Sequence, residues 1–379
     1  MCFVAYPEEG LPPVEFINLG SSRFSQYYKV RWSAIERQAG TYDSAALDEL
    51  DQIITFHREN GVSVYFGLYG TPAFYAGTTP NPVYSDAVTR GPWGDLGECS
   101  HPTSLLAVSN FCTMLVTRYN LPGGEWFDLH GDTFGKGIQY WETWNEPGSA
   151  ESPSNGNMDG QSSVGFYWGS RFQLVDLCRA QYLAIKAADP SIVVTSPGFS
   201  GIGSAGPFLQ SGGNDFPDTS GREVVDAVAI HPYGACPPGE SYMNWDQDAV
   251  SGVNGIHYLK ASISAIGDPS IPVYISEWGL SGDRDSTIDA WNAEPAEFRY
   301  KWIARLFATW AAYGVKCVHP WNWLTTDGQG ISGEWRTDVY GVQKAYNDFA
   351  EKVSGKTITY FEIGEPMTIK FSDGTEWII

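Results

Sequence analysis

Apolar positions along this chain change their period repeatedly. Over Ser44–Asn60, Pro102–Tyr119, Gly165–Ala188, Gly255–Ile266, Pro295–Tyr313 and Val339–Val353 they recur three and four apart, which predicts one buried face of a helix. Between these stretches lie short continuous runs: Val62–Leu68, Ile138–Trp144, Ile192–Ser196, Val225–Ile230, Val273–Ser276 and Lys316–Trp321. A run that is apolar on both faces suits a parallel strand covered on each side. Regular alternation of the two patterns predicts an α/β fold with a parallel sheet.

The six runs become strands three to eight if Val14–Phe24 supplies the second strand and Cys2–Tyr6 the first. No Gly-rich dinucleotide fingerprint follows an early strand, so a (β/α)8 TIM barrel is expected over an open sheet. Loop lengths agree. The segments that follow strands are long, namely Gly70–His101, Pro147–Ser163, Gly198–Arg222, Gly234–Asn254, Gly279–Glu294 and Thr325–Asp338. Helix-to-strand connections are mostly short, with Asn120–Gly137 as an exception on the opposite face. Long loops on the catalytic face are how such a barrel builds its cleft. The tail changes character: Thr357–Ile363, Met367–Phe371 and Thr375–Ile379 read as three short strands, with a hairpin turn at Ser372-Asp373-Gly374. So few residues cannot bury a core of their own. The expected organisation is a catalytic barrel over residues 1–355 and a short β appendage, residues 356–379, packed on it.

Composition narrows the partners. A formal charge of −21 repels phosphate backbones and anionic lipid surfaces, which sets aside nucleic acid and membrane. No apolar stretch is long enough for a membrane span. The start, Met1-Cys2-Phe3-Val4-Ala5-Tyr6-Pro7, does not read as a signal peptide, although a carbohydrate substrate would favour an extracellular setting. Aromatic residues make up 15% of the chain, and their flat faces suit sugar rings as well as core packing. Six cysteines show no zinc spacing; Cys112, Cys178 and Cys317 read as buried thiols, while a Cys99–Cys236 disulfide is left open. The histidines do not cluster as metal ligands, and HExxH, GxSxG and P-loop motifs are all missing. No metal or cofactor is called for, and the oligomeric state is open.

The chemistry gathers at two strand ends. The fourth ends in Trp141-Glu142-Thr143-Trp144-Asn145-Glu146-Pro147 and the seventh in Ile275-Ser276-Glu277-Trp278-Gly279. Breaking a glycosidic bond by double displacement needs two carboxyls about 5–5.5 Å apart, one protonated to serve the leaving oxygen and one ionised to attack the anomeric carbon. Strand ends across a narrow barrel can hold that spacing. Strict alternation would aim Asn145 and Glu146 at opposite faces, so a bend or bulge is expected there. Asn145 is then placed for a sugar 2-hydroxyl. Glu142, within the strand, reads as a structural carboxylate that needs a partner, with Arg23 as a candidate for it or for Glu277.

The chain resembles the clan-A (β/α)8 glycoside hydrolases, whose acid/base follows Asn on strand four and whose nucleophile ends strand seven. It is most similar to the β-xylosidase and α-L-iduronidase family, glycoside hydrolase family 39, and its endo-acting relatives. Arg23, Trp32-Ser33-Ala34-Ile35-Glu36, Gly40-Thr41-Tyr42-Asp43, Leu47-Asp48 and Gly70-Thr71-Pro72 carry the likeness beside the two glutamate motifs. It implies Glu146 as acid/base, Glu277 as nucleophile and Tyr233 as a hydrogen-bond partner of the nucleophile. His231 shares a face with Tyr233, and Trp321 and Trp323 share another, one of them a platform under the cleaved sugar; Trp278 is a further candidate. Tyr75-Ala76 departs from a Trp-Ala pair frequent in such proteins. The expected activity is retaining cleavage of β-glycosidic bonds in oligo- or polysaccharides, with sugar, linkage and endo or exo action open. A carbohydrate-binding barrel without turnover, or a transglycosidase using the same residues, are the alternatives.

Overall fold

Eight short strands hydrogen-bond into one all-parallel sheet in chain order. They are β1 (Cys2–Ala5), β2 (Phe24–Arg31), β3 (Val62–Tyr69), β4 (Tyr140–Glu142), β5 (Val193–Phe199), β6 (Ala227–Ile230), β7 (Val273–Trp278) and β8 (Val315–Pro320). The computed structural model describes residues 2–5, 24–76, 99–147, 167, 169–199, 202–231, 263–264, 267–278, 295–312, 314–320, 342–353, 355–362 and 366–379. Cα atoms of β1 and β8, the two ends of the strand order, approach within 8 Å. The architecture is α/β and TIM-barrel-like.

The helices are α1 (Ser44–Glu59), α2 (Leu105–Asn120), α3 (Glu125–Phe134), α4 (Arg171–Ala188), α5 (Ile202–Gln210), α6 (Ala296–Ala312) and α7 (Val342–Val353), and all but α3 and α5 follow the predicted pattern. Their starts are set by local chemistry. Asp43 accepts from the amides of Ala45 and Ala46, and Ser170 with Gln173 forms a reciprocal capping box on α4. Alternate strand residues divide between two environments. Val64, Phe66 and Leu68 of β3, Trp141 of β4, Val194 of β5 and Ile275 of β7 join the apolar core shared with the helices. Their neighbours Tyr65, Tyr140 and Tyr274 pack together instead, on the inner face of the sheet.

Three sequence readings are corrected. The second strand is Phe24–Arg31, not Val14–Phe24, whose residues 14–23 lie outside those described. The connection Asn120–Gly137 contains α3, and the segment expected as a loop over Gly198–Arg222 contains α5 and a 3-10 turn at Gly221–Val224. Helix α5 carries an internal Pro207, yet buries Ala205, Phe208 and Leu209. The predicted helix over Gly255–Ile266 is described only at Ile263 and Ser264, both helical.

Between β2 and α1, a single helical turn (Trp32–Ile35) leads into a small hairpin, Glu36–Gln38 with Thr41–Tyr42. Glu36 is buried and accepts from Trp32 Nε1, Gly40 N and Tyr75 Oη, which anchors this rim loop. The tail forms an antiparallel sheet of β9 (Ile358–Glu362), β10 (Thr368–Phe371) and β11 (Glu376–Ile378). Its turn closes at Gly374, with φ +83°, where the amide donates to Phe371 O. Met367, Ile369, Phe371, Trp377 and Ile379 are buried in the same core as α6 and α7, and Trp377 meets Phe349 at 6.4 Å between ring centroids. Cys112 and Cys178 are buried thiols, and burial pushes Cys178 up to about 12. Cys236 lies outside the described residues. Among the described residues no helix is long and apolar enough to cross a membrane.

Candidate active site

Glu146 stands where the fourth strand breaks its pairing. Its φ is +38°, the one positive value at a non-glycine residue among those described. Such a conformation costs free energy and persists only when its surroundings impose it. Here β5 imposes it: Gly198 N donates to Trp144 O (2.9 Å) and Glu146 N donates to Gly198 O (3.0 Å). Asn145 bridges to Gly198 between these bonds. The expected bend is therefore present, and it turns consecutive residues, Asn145 and Glu146, away from simple alternation. Both are buried, as is Pro147 behind them.

Glu277 comes from β7, three residues beyond Tyr274 of the inner face, and is buried. The pairing of β7 with β8 shifts register between Val318 and Pro320, opposite this strand end. A bulge of this kind re-aims side chains at a strand terminus.

His231, one residue past β6, lies between the two glutamates. Its Nδ1 is 2.9 Å from Glu146 Oε1 and 3.6 Å from Glu277 Oε2. One carboxylate oxygen of each glutamate and a ring nitrogen all fall within 4.8 Å of one another. On the other side of the ring, Nε2 is 3.0 Å from Ser276 Oγ and 3.8 Å from Glu142 Oε2. Burial alone would lower the histidine's proton affinity. The negative charges of Glu277 and Glu142, with hydrogen bonding to Glu142 and Glu146, more than reverse this and raise the pKa to about 10. A protonated ring donates Nδ1–H to Glu146 and Nε2–H to Ser276.

The site's floor is neutral. Tyr65 Oη and Thr195 Oγ1 are 2.7 Å apart, and Tyr65 packs against Tyr140 and Tyr274. Behind Trp141, Gln181 of α4 accepts from Trp141 Nε1 (2.9 Å) and donates to Thr143 O (2.6 Å), which fixes the strand from outside.

Of the residues picked from sequence, Glu146, Glu277, Asn145 and His231 come together. Asn145 Oδ1 is buried and has no hydrogen-bond partner among the described residues. Trp278 ends β7, and its side chain is outside the description. Arg23, Tyr233, Trp321 and Trp323 lie outside the described residues. Glu142 is expected as a structural carboxylate in need of a partner, with Arg23 as the candidate; among the described residues it lies beside His231. Period-two spacing from Tyr140, an inner-face residue, was the available signal.

No protein-family model matches this chain, and no curated protein matches it. Solved structures share its fold. A family 39 glycoside hydrolase from the gut symbiont Bacteroides cellulosilyticus WH2 superposes with TM-score 0.59 at 16% identity, over 99% of this chain and 68% of that one. A GH39 β-xylosidase from Caulobacter crescentus gives 0.55 at 16% identity, over 98% and 73%. The family 30 subfamily 8 xylanase Xyn30A from Clostridium acetobutylicum gives 0.58 at 13% identity, over 98% and 76%. At these identities the likeness is one of fold.

Proposed function

We propose that this protein is a retaining glycoside hydrolase that cleaves β-glycosidic bonds in oligo- or polysaccharides. The observation that carries the reading is the approach of Glu146 and Glu277, an oxygen of each lying within 4.8 Å of the other. Retaining enzymes hold their carboxyls about 5–5.5 Å apart, whereas inverting ones leave about 6.5–9.5 Å for a water molecule. The fold shared with proteins described as a β-xylosidase and a xylanase supports a neutral glycan as substrate. Part of the same proposal is that β1 and β8 close the sheet into a (β/α)8 barrel over residues 1–355, with the tail, residues 356–379, packed on it.

In the first step a Glu277 carboxylate oxygen attacks the anomeric carbon while the bond to the leaving oxygen breaks. Glu146 delivers its proton to that oxygen. Since Glu146 Oε1 accepts from His231, Oε2 is the oxygen left to carry the proton. The product is a glycosyl ester of Glu277 and an alcohol. Esterification removes the Glu277 charge, so Glu146 is easier to keep ionised and serves as base. It takes a proton from water, the oxygen attacks the anomeric carbon, and Glu277 leaves as carboxylate. Two displacements restore the starting anomeric configuration. Asn145, with an unengaged buried carbonyl oxygen, accepts from the sugar 2-hydroxyl.

A panel of polysaccharides and aryl glycosides, followed by proton NMR of the first-formed product, tests the reading. Retained configuration and a 2-fluoroglycoside label on Glu277 are expected. Inverted product, or a label on a different residue, would overturn it.

A further inference from the structure

Glu142 belongs to the inner face of β4, in register with Gly67 of β3 and Thr195 of β5. It is fully buried. A carboxylate there is costly to keep charged unless an opposite charge lies close by. His231 meets that need: its Nε2 is 3.8 Å from Glu142 Oε2, while Nδ1 on the other side of the ring holds Glu146. The imidazole thus spans the distance from an in-strand carboxylate to the residue read as acid/base.

The ring needs room, and one residue supplies it. A Cβ at Gly198 would fall 2.2 Å from His231 Nε2 and 2.7 Å from Glu142 Oε1, both far inside contact distance. The same glycine holds the bend at Glu146 through its backbone. One position on β5 therefore makes space for the Glu142–His231 pair and fixes the strand end that carries Glu146.

We propose that Glu142 is a positioning residue, the buried counter-anion that holds His231 as a two-donor imidazolium in the slot at Gly198 and so sets which oxygen of Glu146 faces the leaving group. The proposal rests on the reading of Glu146 as acid/base. Among the described residues, the groups facing His231 are Glu142 from β4, Glu146 beyond it, Gly198 from β5, and Ser276 and Glu277 from β7. Its elevated proton affinity agrees with that surrounding charge.

The test is Glu142→Gln in the full chain, with thermal melting to verify folding and a nitrogen-15 NMR titration of the histidines. His231 should keep its proton through neutral pH in the unaltered protein and lose it roughly one pH unit lower or more in the variant. On glycosides with poor leaving groups kcat/KM should fall roughly 10–100-fold, because acid assistance is impaired. Nitrophenyl glycosides, whose leaving groups need little protonation, should lose far less. Gly198→Ala keeps both residues but crowds the ring and the Glu142 carboxylate out of the slot, and should give the same dependence on leaving group even if Glu142→Gln does not fold. An unchanged His231 titration, or an equal loss on both substrate classes, would overturn the proposal. If the unaltered protein cleaves no glycoside, the reading of Glu146 fails, and the titration alone decides the Glu142–His231 pairing.

Discussion

Polar side chains form two levels within the sheet, one from β3, β4, β5 and β7 and the other from the ends of β4, β6 and β7. Where the strands begin, Tyr65, Tyr140 and Tyr274 pack with ring centroids 5.7–6.2 Å apart, and the Tyr65 hydroxyl meets Thr195. Where they end, Glu142, His231, Glu146, Ser276 and Glu277 crowd together. Tyr65 and the charged cluster are buried and Tyr140 and Tyr274 partly so, yet one level is neutral and the other holds three carboxyls around a histidine. The neutral level is what a fold alone would select, since hydroxyls satisfy one another at little desolvation cost. A charged cluster buried beside it gains little for stability. Its presence on the same strands calls for a chemical purpose.

That contrast can be tested by breaking each level in turn. Glu277→Ala should cause the largest loss, lowering kcat by roughly 10^4-fold or more with folding intact, as seen in aryl-glycoside assays beside circular dichroism. Glu146→Ala should cost roughly 10^2–10^4-fold on substrates with poor leaving groups, and little in bond cleavage with activated ones. If both variants lose stability but keep turnover, the upper level is structural and the contrast collapses.

Two buried histidines give a pH test. His57 on α1 is desolvated and its pKa falls to about 3, so the folded protein resists protonating it. Its contribution to stability is present above about 6.5 and is lost as pH falls toward 3. For His231 burial works the same way, but Glu277, Glu142 and Glu146 outweigh it and the pKa rises to about 10. Its contribution is complete below about 6.5 and is lost as pH climbs toward 10. Chemical denaturation across pH should therefore show His57→Phe flattening the acid limb and His231→Gln the alkaline limb. The smallest change expected is at the floor. Tyr65→Phe should cost about 1 kcal/mol of stability through the bond to Thr195, with kcat unchanged.

The site was more legible in the sequence than the frame around it. Two short motifs at strand ends name Glu146, Asn145 and Glu277, because carboxylates at such places have few other uses. Strand β2 escaped because Ser25, Gln26, Lys29 and Arg31 interrupt the apolar run expected of a buried parallel strand. Helix α5 escaped because Gly203, Gly206 and Pro207 read as turn formers, and only tertiary burial of its apolar side holds it helical. For Glu142 the need for a partner was legible, but His231 was not named as that partner. Its partner lies 89 positions away, on a strand that alternation places in the sheet without giving the register.

The left-handed backbone at Glu146 has a consequence for anyone who would harden this protein against heat. A glycine there would relieve roughly 1 kcal/mol of backbone strain that a side chain imposes, so Glu146→Gly should melt above Glu146→Ala in a direct Tm comparison. Selection for thermal endurance alone would then favour a variant without its acid. At this position, screening must weigh turnover together with melting.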